Sequence, residues 1–336
     1  MSIERVPVAV IGTGHLGRIH AKIYTESERA ELVAVCDRDA DRAKQVAEEF
    51  GVQWVSDPLE VADRVRAFSV AVSTSAHAEV AVPLLERGFA CLVEKPLAAS
   101  LAEADRIVEA AEKSGALLAV GHVERFQPGL RRVRELEISP RFIECHRLTA
   151  FSFRSMDVGV IHDLMIHDLD LILDLIGSEV TSFDAVGGKI LTDYEDMASV
   201  RLVFANGARA SVTANRVSLS PMRRFRMFSP ESYVSLDFQK NYALIARKGP
   251  CWEEERPRLA ELGSAGMEEV GDVFKQGLFS IEEPELLGEQ RPLQAQLDAF
   301  LKCVATGERP EVGGPEGRRA LALADRIVEA ISRQDW

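Results

Sequence analysis

VAVIGTGHLG, residues 8–17, sets an apolar run directly against a turn that holds Gly12, Gly14 and Gly17. The run reads as a strand buried on both faces, and His15 begins a segment of helical period. At such a junction the first two glycines permit a tight turn and let a pyrophosphate approach backbone N–H groups, while the helix N-terminus favours negative charge. A strand, a glycine turn and a helix in that order are the start of a βαβ unit.

The unit repeats. ELVAVCD, FSVAVST, ACLVEKP and ALLAVGH are strand-type runs, separated by helical segments through AKQVAEEFG, AEVAVPLLERG and LAEADRIVEAAEKSG. Strands this apolar imply a parallel sheet covered by helices, so residues 1–122 are expected to be a doubly wound Rossmann domain that binds a dinucleotide. Asp37 ends the second run, where a carboxylate accepts from both ribose hydroxyls and repels a 2′-phosphate. That favours NAD over NADP, with Arg38 beside it tempering the preference.

After about Val123 the rhythm changes. FIECHRLTAF, ASVRLVFANGARASVTANR and YVSLDFQKNYALIAR are longer β-type runs, and Asn206-Gly207 between alternating segments signals a hairpin. Residues 123–336 are therefore expected to form a second, α+β domain with a largely antiparallel open sheet. The acidic stretch 250–292 has weak periodicity and reads as a long loop or insertion. The last helix, GRRALALADRIVEAI, is amphipathic and is expected to pack on a sheet.

The composition of the 336 residues, 46% apolar and 28% charged, is that of an ordinary two-domain globular chain. A formal net charge of −13 speaks against nucleic-acid or anionic-membrane partners. The five cysteines, Cys36, Cys91, Cys145, Cys251 and Cys303, form no close pairs, which is reduced, cytoplasmic usage. No run approaches membrane-spanning length.

Two further stretches carry chemistry. LVEKPLA places Glu94, Lys95 and Pro96 at the carboxyl end of a parallel strand, the edge where ligands bind in such sheets. There Lys95 is either a proton carrier or holder of a substrate hydroxyl, or a surface lysine just past a strand. In HDLMIHDLDLILDLIG, residues 162–177, Ile161, Met165, Leu169, Ile172 and Ile176 give one apolar stripe, and Asp163, His167, Asp170 and Asp174 give another stripe that is ionisable. Asp163 and His167 stand one helical turn apart, and a histidine oriented by a carboxylate is a competent base near neutral pH. The competing readings are a solvated stripe or a satisfied core histidine. Zinc is disfavoured because His162 and Asp163 face about 100° apart on a helix. Asp170 and Asp174, further along, are expected to tolerate change.

GTGHLG, then Asp37, then EKP, then an Asp-x-x-x-His helix resembles the glucose-fructose oxidoreductase and inositol dehydrogenase (Gfo/Idh/MocA) family of NAD(P)-dependent oxidoreductases, from about Val8 to the C-terminal helix. The resemblance implies Lys95, Asp163 and His167 as the catalytic group. It also implies a cofactor lying against Gly12, Gly14, His15, Leu16, Gly17, Asp37, Arg38, Ser73, Thr74, His77, Glu94 and Lys95, and an open sheet used as a subunit interface in a homodimer or homotetramer. VGHVERFQPGL and DVGVIHDLMIHDLD look most like the UDP-N-acetylglucosamine 3-dehydrogenases, although Gln127 stands where that pattern usually has asparagine, and STSAH lacks a proline common in the family's cofactor turn.

These readings converge on oxidation of a sugar-ring secondary hydroxyl by NAD, with C3 of UDP-N-acetylglucosamine foremost. His167 takes the hydroxyl proton or shares it with Lys95, and no metal takes part. Arg125 and Arg154 are candidates for the diphosphate, since a planar guanidinium matches phosphate oxygens, or else they are surface charge. Three rivals stay open: another sugar or polyol dehydrogenase of the same fold, a redox-neutral NAD-dependent glycosidase, and a non-enzymatic dinucleotide sensor.

Overall fold

A computed structural model describes residues 5–152, 158–254, 256, 279–286 and 291–334. Two compact units divide the chain: Met1–Phe126 with Gln290–Arg326, and Gln127–Glu289 with Ile327–Trp336.

In the first unit, β1 (Val6–Ile11), β2 (Ala30–Cys36), β3 (Gln53–Val55), β4 (Ala67–Val70), β5 (Ala90–Val93) and β6 (Leu118–Val120) form a parallel sheet in the order β3-β2-β1-β4-β5-β6. This is the Rossmann order, with the strand sequence reversing beside β1. Helices α1 (His15–Glu26), α2 (Ala40–Phe50), α3 (His77–Glu86) and α4 (Leu101–Ser114) follow their strands. Successive strand residues point to opposite faces, and both faces are covered. Ala9 and Ile11 join Phe68, Leu84, Cys91 and Ile107 in one core cluster, while Val8 and Val10 join Ala21, Tyr24, Leu92 and Ala119 in another.

That second cluster is completed from the far end of the chain. Leu297, Phe300 and Leu301 of α7 (Pro292–Thr306) are buried in it. Each side chain of that size contributes about 1.5–3 kcal/mol on leaving water. The expected division of 1–122 from 123–336 is corrected accordingly: residues 290–326 return to the first unit, and α8 (Gly314–Ser332) begins there.

In the second unit, β7 (Phe142–Leu148), β8 (Val180–Gly188), β9 (Met197–Phe204), β10 (Arg209–Asn215), β11 (Met222–Phe228), β12 (Ser232–Asp237), β13 (Tyr242–Lys248) and β14 (Phe279–Glu282) build one open sheet. Its order is β14-β13-β12-β11-β7-β10-β9-β8, antiparallel throughout except where β10 runs parallel to β7. The β9–β10 hairpin turns at Asn206-Gly207, where Gly207 has φ +83°. Burial alternates along the central strands: Ile143 and Cys145 are buried, whereas Phe142, Glu144 and His146 are half-exposed. Part of the stretch expected to be a loop, 250–292, is strand β14, which pairs with β13; residues 255, 257–278 and 287–290 lie outside the described residues. Among the described residues this unit carries the helices α5 (Pro128–Arg134) and α6 (Ile166–Ile176) and the end of α8. The turn before α6, Ile161–Met165, is π-helical.

Candidate active site

The glycine turn after β1 has room for a ligand and little else. Gly12 carries φ +92°, and a Cβ there would stand 2.6 Å from the Ala71 carbonyl oxygen. A Cβ on Gly17 would overlap the Gly12 carbonyl, so that glycine serves the packing of α1 on the turn. On Gly14 a Cβ would meet no atom within 4 Å, so nothing inside the protein requires its bareness. A cavity of about 720 Å³ opens at this point, lined by Gly12, Gly14, Asp37, Arg38, Ser73 and Pro58 among others.

Asp37 closes one side of that cavity. Its Oδ2 accepts from the Thr13 N–H at 2.7 Å and the Thr13 hydroxyl at 2.8 Å, and its Oδ1 from the Asp39 N–H at 3.0 Å and Arg42 Nη2 at 3.1 Å. Burial alone would raise the Asp37 carboxyl, but Arg42 and these donors bring it down to about 2. It is a carboxylate at neutral pH, fitted to ribose hydroxyls and repellent to a 2′-phosphate. Open space at Gly14 and a fixed carboxylate at the end of β2 fit the adenosine half of NAD.

Of the other expected cofactor residues, Arg38 and Ser73 line this cavity. His15 is exposed at the start of α1 with Leu16 half-buried behind it, Arg38 and Ser73 are exposed, and Thr74 opens a short 3₁₀ turn. His77 is 1% exposed, and its Nδ1 lies 3.0 Å from the Pro96 carbonyl oxygen while its Nε2 lies 3.3 Å from that of Val72. Burial lowers its pKa, outweighing the carbonyl bonds that favour the cation, so a neutral imidazole braces the Lys95-Pro96 turn from within. Glu94 likewise points inward: it is 7% exposed and faces His20 and Gly121. Both side chains sit under the turn that carries Lys95. Lys95 itself is half-buried, and the Lys95–Pro96 peptide is cis.

The second unit carries Asp163 in the π turn and His167 in the first turn of α6, both half-buried. The apolar stripe is where the periodicity put it, with Ile161, Met165, Leu169 and Ile172 at 0% exposure. The continuous α-helix expected from His162 is corrected by the π turn, a feature often found at functional positions. Beside His167, Asp168 makes a two-point ion pair with Arg147 of β7, Oδ2 to Nε and Oδ1 to Nη2 each at 2.8 Å, with both side chains no more than 4% exposed. This pair ties α6 to β7 one residue from His167. Further along the stripe, Asp170 is 1% exposed, and Asp174 pairs with Arg134 at 2.6 Å.

Of the diphosphate candidates, Arg125 is 1% exposed, which excludes the surface-charge reading and leaves a ligand no open access to it. Arg154 lies outside the described residues. Among the described residues no group of three or more His, Cys, Asp or Glu side chains is placed to hold a metal ion, and no helix is long and apolar enough to cross a membrane. Sequence reasoning passed over Thr13, Arg42, Arg147, Asp168 and His20. For His20 a signal existed, because it shares a helix face with Gly17 and Tyr24, at steps of three and four, and both of those are buried.

A doubly wound sheet with an open glycine turn and a fixed carboxylate at the end of β2, joined to a second unit built on an open sheet, is the architecture of NAD-dependent oxidoreductases. Residues 6–122 match the oxidoreductase family with an NAD-binding Rossmann fold, and residues 138–231 match the GFO/IDH/MocA C-terminal domain. The chain is 35% identical over 324 residues, 96% of each chain, to the UDP-N-acetylglucosamine 3-dehydrogenase of Acidithiobacillus ferrooxidans. A solved structure of that enzyme superposes with a TM-score of 0.85 and 34% identity, covering 97% of this chain and 98% of the other. The scyllo-inositol 2-dehydrogenase (NAD(+)) of Bacillus subtilis is 33% identical over 234 residues, 64% of this chain and 68% of its own. The protein belongs to the Gfo/Idh/MocA family.

Proposed function

We propose that this protein is a sugar dehydrogenase that oxidises a secondary ring hydroxyl, C3 of UDP-N-acetylglucosamine, with NAD as oxidant. The observation that supports the choice of substrate is the 35% identity extending over 96% of both chains to an enzyme of that name. When bound, NAD supplies the nicotinamide that accepts the hydride leaving the carbon. His167 takes the hydroxyl proton, with α6 tied to β7 one residue away by the Arg147–Asp168 pair. Lys95 hydrogen-bonds the same oxygen and offsets its developing negative charge, and Asp163 steadies the protonation pattern. Arg154 is retained as the diphosphate ligand.

The inositol relative supports a second reading, a polyol dehydrogenase. A screen of UDP-sugars and free polyols, following NADH absorbance, decides between them. Net NADH formed with UDP-N-acetylglucosamine is the expected result, and activity with inositols alone overturns the substrate. Release of the aglycone without net NADH would mark the redox-neutral glycosidase, and NAD binding with no turnover of any sugar would mark the sensor.

We further propose a cytoplasmic homodimer or homotetramer. The five cysteines are free thiols, and the outer face of the open sheet bears an aromatic patch in which Phe228 lies 5.7 Å from Phe142 and 5.1 Å from Tyr233 between ring centres. Such a patch calls for a partner surface. A concentration-independent monomer in sedimentation would refute this.

A further inference from the structure

Between α1 and the sheet of the first unit runs a line of polar side chains through an apolar core. His20, at 0% exposure, places Nδ1 2.8 Å from the Ser69 hydroxyl and Nε2 3.3 Å from Glu94 Oε1. Tyr24, also at 0%, stands edge-on to the His20 ring, 6.5 Å between ring centres. At the other end the Lys95 N–H donates to Glu94 Oε2 at 3.3 Å. Around this line lie Val8, Val10, Ala21, Leu92 and Ala119.

The strand alternation explains the meeting. Ser69 of β4 pairs in register with Val10 on one side and Leu92 on the other, and Glu94 follows Leu92 by two residues, so all four side chains face α1. Gly121 makes the space: a Cβ there would lie 2.5–2.7 Å from the carboxyl atoms of Glu94. Burial alone would raise the Glu94 carboxyl, but the His20 ring and the Lys95 N–H bring it down, so the group is kept as an anion. Apolar residues of the same volume would pack this space at no desolvation cost, and the replacement of buried polar pairs by such residues is often stabilising. Packing alone therefore does not account for the line. What distinguishes it is its end point, the backbone of Lys95.

We propose that His20 is a positioning residue for Lys95: by holding the Glu94 carboxylate from α1, it fixes the backbone from which the Lys95 amine is aimed. This rests on the reading that Lys95 meets the reacting hydroxyl. Misplacement of a reacting group by about 1 Å can cost on the order of 100-fold in rate, whereas the adenosine half of NAD would lie elsewhere, in the cavity lined by Gly12, Gly14 and Asp37.

The test compares His20→Leu, His20→Gln and Lys95→Met in the NAD-bound enzyme with UDP-N-acetylglucosamine. His20→Leu is expected to lower kcat by about 10–100-fold with NAD affinity and substrate KM within about threefold of the parent, and His20→Gln, whose amide can reach Glu94, to recover most of the rate. Independently of substrate, hydrogen exchange of the Lys95 amide should quicken by about tenfold or more in His20→Leu and return toward the parent in His20→Gln, with β1 and β2 unchanged. Parent-like kcat and parent-like Lys95 exchange in His20→Leu overturn the proposal, as does a His20→Gln variant no better than His20→Leu. A Lys95→Met variant with parental turnover overturns the catalytic reading itself, and the proposal with it. An inactive Lys95→Met beside a fully active His20→Leu rejects only the positioning role.

Discussion

Replacing Asp168 with Asn should unfold the second unit far more easily than any surface change, and the structure sets the size of the effect. The Arg147 and Asp168 side chains are 3% and 4% exposed and meet through two hydrogen bonds of 2.8 Å. Asn keeps the volume but turns an NH₂ group toward a guanidinium that only donates, so a buried cation loses its counter-charge. Removing one partner of such a pair costs about 3–5 kcal/mol. For a unit of this size each kcal/mol moves Tm by about 2–4 °C, giving a fall of about 6–20 °C in calorimetry or circular dichroism. The double variant Arg147→Met with Asp168→Leu removes both charges and should regain most of that stability while leaving α6 without this tie to β7. Its kcat should therefore stay about tenfold or more below the parent at near-parental Tm. A loss under about 1 kcal/mol in Asp168→Asn would refute the buried-charge reasoning, and a fully active, stable double variant would show that the pair does not orient His167.

His167→Asn and Lys95→Met should each lower turnover by on the order of 100-fold or more while NAD affinity, measured by calorimetry, stays near the parent value; near-normal rates would remove these residues from the chemistry. Asp37→Ser should narrow the gap between NAD and NADP affinities, and a parent that binds NADP as well as NAD would contradict the role of that carboxylate. Acid stability follows from the same group. Its carboxyl is held at about 2 against an ordinary 3.8, a depressed pKa, so its contribution is full above about pH 4 and is lost as pH falls toward 2. Urea melts of the NAD-free protein should show Asp37→Ser losing less stability than the parent across that window. Asp196, which accepts from the Ile190, Leu191 and Thr192 N–H groups at 2.6–2.9 Å and from Arg216, is held down in the same sense. Asp196→Asn should flatten the acid limb further.

The Rossmann unit could be read from the chain because its information is local. An all-apolar strand, a glycine turn and the start of a helix follow one another within residues 8–17, and three more strand-helix units and a last strand follow by residue 122. The Asn206-Gly207 hairpin and the buried stripe from Ile161 to Ile176 were legible for the same reason: turn chemistry and a 3.6-residue period are properties of neighbours. Gly12, Asp37 and Lys95 stood out because chemistry at strand ends is tied to the strand that precedes it. What only the tertiary structure decided depends on residues far apart in sequence. Leu297 and Phe300 reach the core beside β1 from the far end of the chain, and nothing in a helix's own pattern says which sheet it will cover. Arg147 finds Asp168, and His20 finds Glu94, only after β7 meets α6 and β5 packs under α1. His77, Glu94 and Arg125 looked like exposed ligand contacts in a linear reading, yet a polar side chain near a turn can face either way. The fold turned these three inward, where backbone carbonyls face His77 and a buried imidazole faces Glu94 in place of solvent.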